Sequence, residues 1–452
     1  MPLHRTAAAP TRGVRRGRGT AARRDIQGLR ALAVVAVVVT DFWGSPRGGF
    51  VGVDVFFVIS GFLVTGRLLR DHEQDGRISF VDFFARRARR IVPAAALVLL
   101  VTVAASALLL DAGRASDARV DGLWAALSLA NWHFARTGAD CLGAAGALSP
   151  FLHFAPLAIG GQLSLAWPLL IAFVLRPSRR EASGATTARL VRLCGVVVLG
   201  SLCWAAWSTH ASPSTACLST WGRAWEPGLG ALVAVLSRPC LRLPRWARET
   251  MAWAGLAGLV CAFVVADRTH GFPFPAALVP ALATALVIAS GIGSEARSVV
   301  VLRNPVTDHL GRISWSLYLW HVPVIVLAAP VFASFLGGSD PLVLVAALVL
   351  TTGLAVASCH LVEEPVRRSR WLTNRSRRRQ RVPVDIAVAV VASAVAVVAS
   401  GIALTMDGRA GRSPTSEFSR SRAVDPDSSS ALAPRTVPEL PESSARVWGP
   451  DR

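Results

Sequence analysis

Three ionisable residues interrupt the apolar runs near the start of this sequence: Arg30 and Asp41 in DIQGLRALAVVAVVVTDFW, and Asp54 at the head of GVDVFFVISGF. Eleven helical steps of about 100° fall within roughly 20° of three full turns, so Arg30 and Asp41 share one helix face, roughly 16 Å apart along the axis. Ionisable groups in apolar spans are costly, and they face a bundle interior or a wet cavity where they serve ligands or protons. A carboxylate in a poorly hydrated site can act as a base toward a hydroxyl, which gives Asp41 a chemistry. The competing reading leaves Asp41 at the helix end, in water beside Trp43 and Arg47.

Further along, His153 precedes an apolar run that contains Gln162. Arg223 and Glu226 open another run three residues apart, on adjacent turns of one face, and the pairing would make each tolerable there. Tyr318, the sole tyrosine, stands three residues before His321 in SLYLWHVP. Each has a structural alternative. Arg30 would snorkel to the boundary, His153 would bond at the interface, and Tyr318 would join an aromatic belt. The seven cysteines have no CxxC spacing, so no metal site or disulfide framework follows, and Cys141 and Cys217 are read as small apolar residues in preference to a pair.

The elements that must position these residues are membrane helices. Half of the 452 residues (52%) are hydrophobic, the mean hydropathy is positive, and apolar blocks recur, which excludes an ordinary soluble domain and predicts an all-α polytopic bundle. Spans are expected at about 27–44, 50–69, 91–110, 156–175, 191–208, 223–237, 251–267, 275–293, 313–335, 341–361 and 384–405. The net charge of +20 comes from 48 basic residues, all arginine. Of these, 34 fall in 1–24, 67–90, 176–192, 238–248, 294–312 and 366–381, alternate connections that all lie on the amino-terminal side. That bias sets the amino terminus in the cytoplasm and argues against nucleic acid as a partner. The segment DGLWAALSLANWHFA, 121–135, is short for a crossing and is read as re-entrant or interfacial. Residues 1–24 read as a disordered basic leader, 371–383 as a basic cytoplasmic linker, 384–405 as an extra helix and 406–452 as a disordered tail outside the cell.

Several stretches carry a resemblance in the same order along the chain: DIQGLRALAV with GGFVGVDVFFVISGFL and FFARRARRIVP, then SPFLHFAPLAIGGQLSLAWPLL, RAWEPGLGALVAVL, GRISWSLYLWHVPV and SCHLVEEPVRR. Together they resemble the acyltransferase 3 family, membrane proteins that O-acylate bacterial surface glycans, over roughly residues 25–370. The resemblance implies ten membrane helices, and the eleventh matches an extra helix found in some members. It also implies an acyl-CoA co-substrate, transfer of an acyl group such as acetyl to a glycan or lipid-linked glycan hydroxyl, no bound cofactor, and an inner-membrane location among lipids. Many members continue into an SGNH-type hydrolase domain. Here no histidine follows His360 and no GDS motif is present, so that domain is expected to be absent.

Two departures stand out against the family pattern. Asp41 occupies the position of the family's first-span histidine, and Gly160 and Gly161 replace a pair of glutamates before the retained Gln162. By resemblance Arg30 would orient donor or transition state, Asp41 would replace the usual base and His153 would hold the base in reserve. Arg223, Glu226, Tyr318, His321, Gln162 and Asp54 would contact substrate. Arg86–Arg90 and the linker 366–381 would meet anionic headgroups, the former near the way in for the donor. The alternative from another class is a catalytically impaired homologue that binds glycan, lipid or partner proteins as a scaffold.

Overall fold

The computed structural model describes residues 23–138, 148–175, 183–267, 271–293, 299–336 and 341–368. The leader up to Ala22, the linker beyond Arg368, the helix expected at 384–405 and the tail lie outside the described residues, as does Cys141. Among the described residues there are helices and turns but no strand.

The first helix, α1, spans Arg24–Trp43, with Asp25 favourably placed in its first turn. It stops at Gly44, whose left-handed φ of 70° lets its N–H close on the Thr40 carbonyl. This fixes Asp41 in the last turn. A Gly/Pro turn leads into α2, Gly52–Asp75, with Asp54 in its first turn. Next comes α3, Phe80–Leu109, capped by the Ser79 hydroxyl, which accepts from the Asp82 N–H at 3.3 Å. Then follow α4 (Ala112–Ala126), α5 (Ala130–Thr137), α6 (Phe154–Val174) and α7 (Ser183–Ala211). After these come α8 (Trp225–Val235), α9 (Arg245–Val265), α10 (Leu278–Ser290), α11 (Pro305–Pro323) and α12 (Pro341–Ser358).

Eight of the described helices are long and apolar enough to cross a bilayer, so the chain is a multi-pass membrane protein. Two expected spans are shorter than predicted: the segments at 223–237 and 275–293 form α8 and α10, of 11 and 13 residues. Both segments still run the length of the bundle: Arg223 pairs with Asp54 and Arg238 with Glu73 at opposite ends of α2, and Phe274 lies by Thr209 while Gly291 lies by Asp25. The segment 121–135 is two helices that meet at Ser128, whose φ of 57° is left-handed and breaks the run. Cys217 is disulfide-bonded and the other five described cysteines are free, which corrects the reading of Cys217 as a mere apolar filler.

Two close crossings set the architecture around α1 and α2. A Cβ on Gly311 of α11 would run into the Gln27 carbonyl of α1, and one on Gly28 would strike the backbone of Leu302. Without water to drive helices together, small residues of this kind let dispersion contacts and backbone approach do it. Gly61 of α2 and Gly230 of α8 do the same against Pro227 and Val58. As a result, α1 lies against α11 along its length, and the last turns of both helices come side by side.

Candidate active site

Asp41 from the last turn of α1 meets His321 from the last turn of α11: Oδ2 lies 3.3 Å from Nε2. The His321 side chain is fully buried, whereas that of Asp41 keeps 23% of its surface exposed. His321 Nδ1 faces the carbonyl oxygen of Tyr318. A carbonyl only accepts, so Nδ1 carries the proton and Nε2 is the nitrogen free to exchange one. The contact with Asp41 has ion-pair distance without hydrogen-bond alignment.

His153 stands directly behind. Its Nε2 donates to the Leu319 carbonyl at 3.0 Å, its ring lies edge-on to His321 with centroids 5.4 Å apart, and its own carbonyl accepts from the Tyr318 hydroxyl at 3.1 Å. Nδ1 of His153 is buried without a hydrogen-bond partner among the described residues. The two imidazoles are therefore pinned by backbone carbonyls through opposite nitrogens. Tyr318, His321, His153 and Asp41 form one cluster.

Arg30 lies on the same face of α1, deeper in the bundle. It donates through Nη2 to Ser314 Oγ at 2.8 Å and through Nη1 to Gln27 Oε1 at 3.2 Å. It lines a cavity of about 540 Å³ together with Phe57, Gly160, Gly161 and Tyr318, and Arg67, Arg86, Arg87 and Arg90 line the same cavity from α2 and α3. Arg86 is paired with Asp71 at 2.9 Å. Glu363, re-aimed by a π-turn that follows α12, accepts from Ser316 and shares the electrostatic neighbourhood of Arg30 and Arg90. Guanidinium groups still outnumber carboxylates around this space, and they are the donors of choice for phosphate oxygens. Arg30 and Tyr318 thus share a cavity, whereas Asp41, His153 and His321 are not part of its lining and sit beyond Tyr318.

Asp54, Arg223 and Glu226 form a buried cluster within electrostatic reach of Tyr318. Arg223 pairs with Asp54 across the α2–α8 crossing and with Glu226 at 3.1 Å, and all three are buried. The guanidinium also lies 4.9 Å from the ring centroid of Phe272 and 5.3 Å from that of Phe57. The Arg223–Glu226 pair was readable from spacing, but Asp54 as third member was not.

Gln162 is spent on the scaffold. Its amide nitrogen donates to the Ser128 carbonyl at 2.8 Å and to Asn131 Oδ1 at 2.9 Å, and its oxygen accepts from Trp132 Nε1 at 3.2 Å and Thr220 Oγ1 at 2.6 Å. Those four bonds use its whole capacity and clasp the break between α4 and α5 against α6. Sequence reasoning gave no site role to Glu363 or Ser314 and read Arg86–Arg90 chiefly as lipid contacts. The arginine run within an amphipathic helix start was the one available signal.

Residues 23–360 match the acyltransferase domain family. The chain is 30% identical over 352 residues to YrhL of Bacillus subtilis, which bears the name of a peptidoglycan O-acetyltransferase, covering 76% of this chain and 54% of that one. It is 27% identical to the peptidoglycan O-acetyltransferase OatA of Listeria monocytogenes, over 77% of this chain and 56% of the relative. It is 34% identical to BcsY of Komagataeibacter xylinus, named as a membrane-bound transacylase, over 68% of this chain and 74% of that one. The chain therefore spans about half the length of the two peptidoglycan relatives. No solved structure matches it.

Proposed function

This chain belongs to the acyltransferase 3 family, and from that premise we propose that it moves an acyl group from a cytoplasmic acyl-CoA to a hydroxyl of a cell-surface or exported glycan. The observation that carries the reading is that Tyr318 stands between the Asp41–His321 contact and the arginine-lined cavity holding Arg30, packing its ring against His321 and lining the cavity. With the amino terminus in the cytoplasm of a plasma-membrane protein, the arginines of α2 and α3 open toward the donor and Asp41 toward the acceptor. The diphosphate of the donor binds the guanidinium groups, and its thioester arm points up the cavity toward Tyr318.

Asp41 is the partly exposed member of its cluster and so the one that meets the acceptor. It takes the hydroxyl proton, which His321 Nε2 shares, while the hydroxyl oxygen attacks the thioester carbonyl carbon. The carbon–sulfur bond then breaks, leaving CoA thiolate and the glycan ester. His153 is too deeply buried for a direct role at the hydroxyl; its ring backs His321 instead. Arg30 stabilises negative charge on the donor side. Peptidoglycan, the substrate in the names of two relatives, is the first acceptor to try.

The test is transfer from radiolabelled acetyl-CoA and octanoyl-CoA to soluble peptidoglycan fragments by the full chain in proteoliposomes, with Asp41→Ala beside it. Transfer by the wild type that Asp41→Ala abolishes supports the reading. An inert wild type that Asp41→His makes active would assign the natural protein a binding or scaffold role.

A further inference from the structure

A second cavity, of about 470 Å³, lies alongside the first. It is an apolar groove between α2, α6, α7 and α8, lined by Leu163, Trp167, Leu170, Val196 and Trp221 among others. Its outer rim is exposed on the membrane-facing surface, where Leu170, Val196 and Trp221 would be in contact with hydrocarbon. The two cavities share Phe57, Ser60, Val64 and Gly160 in their walls. Gly160 thus stands in the wall common to the arginine-lined space and the apolar one. A Cβ there would sit 3.4 Å from the Phe57 ring, so any longer side chain reaches into the join. Gly160 puts no side chain into that wall, and Gly161 beside it puts none into the arginine-lined cavity.

We propose that the groove is an acyl-chain site: the donor's hydrocarbon chain runs from the arginine-lined cavity past Gly160 and lies between α6 and α7. The donor would then carry a medium or long acyl group, and acetyl would be a poor fit. This rests on the acyl-transfer reading and narrows its substrate class. The occupant follows from what adjoins the groove. An anionic head held by the arginines of α3 places the attached chain in the first cavity, which borders the apolar groove at Gly160. A lipid-linked acceptor would approach from the opposite end, beside Asp41. A groove of this volume is within the range that buries a ligand-sized apolar group.

Each buried methylene contributes about 0.8 kcal/mol, or roughly fourfold in binding. Octanoyl-CoA should therefore be preferred over acetyl-CoA by at least about tenfold in kcat/KM even if bilayer lipid offsets most of that gain. A binding readout separates this from catalysis. The full chain in proteoliposomes is labelled with a palmitoyl-CoA that carries a diazirine at the chain terminus, and the modified peptides are mapped. Labelling of α6 and α7 that excess palmitoyl-CoA competes away and acetyl-CoA does not is the expected result. Gly160→Leu should abolish it, and so should Gly200→Phe, which fills the groove from α7 at a position where an added Cβ meets nothing within 4 Å. Labelling there that neither variant nor palmitoyl-CoA reduces means bilayer lipid occupies the groove and overturns the proposal, as does labelling confined to other helices. Competed labelling in a protein without transferase activity would leave the chain path standing and sink the transfer reading alone.

Discussion

Oδ2 of Asp41 lies 3.3 Å from Nε2 of His321, and the other nitrogen of that imidazole is tied to the Tyr318 carbonyl. The carboxylate is the partly exposed partner and the imidazole the buried one, so a proton taken from outside reaches the histidine only through the aspartate. A single-residue base would not need the histidine. Asp41→Asn keeps the shape and removes the base, and kcat should fall by about 10²–10⁴ with little change in KM for the donor. His321→Asn should lose a comparable amount, and the double variant should lose hardly more than either alone, because residues that act as a unit are not additive. Losses that multiply would show that the two act separately.

The guanidinium groups of α3 should govern donor affinity and leave the chemical step alone. A hydrogen bond to a charged group is worth roughly 1.5–3 kcal/mol, so Arg90→Ala should raise KM for acyl-CoA by about tenfold or more at nearly constant kcat. The effect should shrink as salt is added, since the mouth of the cavity is open to ions. Steady-state kinetics at two ionic strengths checks both statements. A fall in kcat at constant KM would move Arg90 from donor binding to catalysis.

Asp54, Arg223 and Glu226 can be assigned by the way they fail. Arg223→Met strands two carboxyl groups away from water and should cost roughly 3–5 kcal/mol, read as a lowered midpoint of thermal unfolding in detergent. Replacing all three by apolar residues of similar volume, Asp54→Leu, Arg223→Met and Glu226→Leu, should recover most of that loss, because a buried ion cluster is often no more stable than its hydrophobic equivalent. If the stable triple variant also transfers acyl groups, the cluster is a strut between α2 and α8. If it folds but is inert, these residues contact substrate.

How far the sequence was legible follows from what periodicity encodes. Spacing along one helix put Arg30 and Asp41 on one face, paired Arg223 with Glu226 and set Tyr318 beside His321. It does not encode which faces meet. Asp54 and Arg223, separated by 169 positions, could be joined only by the fold, and the same holds for Asp41 with His321. By resemblance Gln162 is a substrate contact, whereas the fold gives it four hydrogen bonds that tie the break at Ser128. The hydropathy of 223–237 and 275–293 is that of a span, but the helices stop after 11 and 13 residues. Hydropathy marks where a segment is apolar, not where its helix breaks.

The alignment of Asp41 with His321 depends on how closely α1 and α11 approach, and that closeness rests on Gly311. Its missing side chain lets the Gln27 carbonyl sit where a Cβ would be, and the clashing atom is backbone, which cannot rotate aside. Gly311→Ala must push the helices apart and should cost about 1–3 kcal/mol of stability. It should also lower kcat, because α11 carries His321 and the Ser314 that holds Arg30. Gly353→Ala on α12 is the matched comparison, since a Cβ there meets nothing within 4 Å. In the interior of a helix that exchange should stabilise by roughly 0.5–1 kcal/mol and leave turnover unchanged. Thermal midpoints and kcat measured for both variants decide the matter. Equal behaviour of the two would mean that the crossing has slack and that the active-site register is set elsewhere.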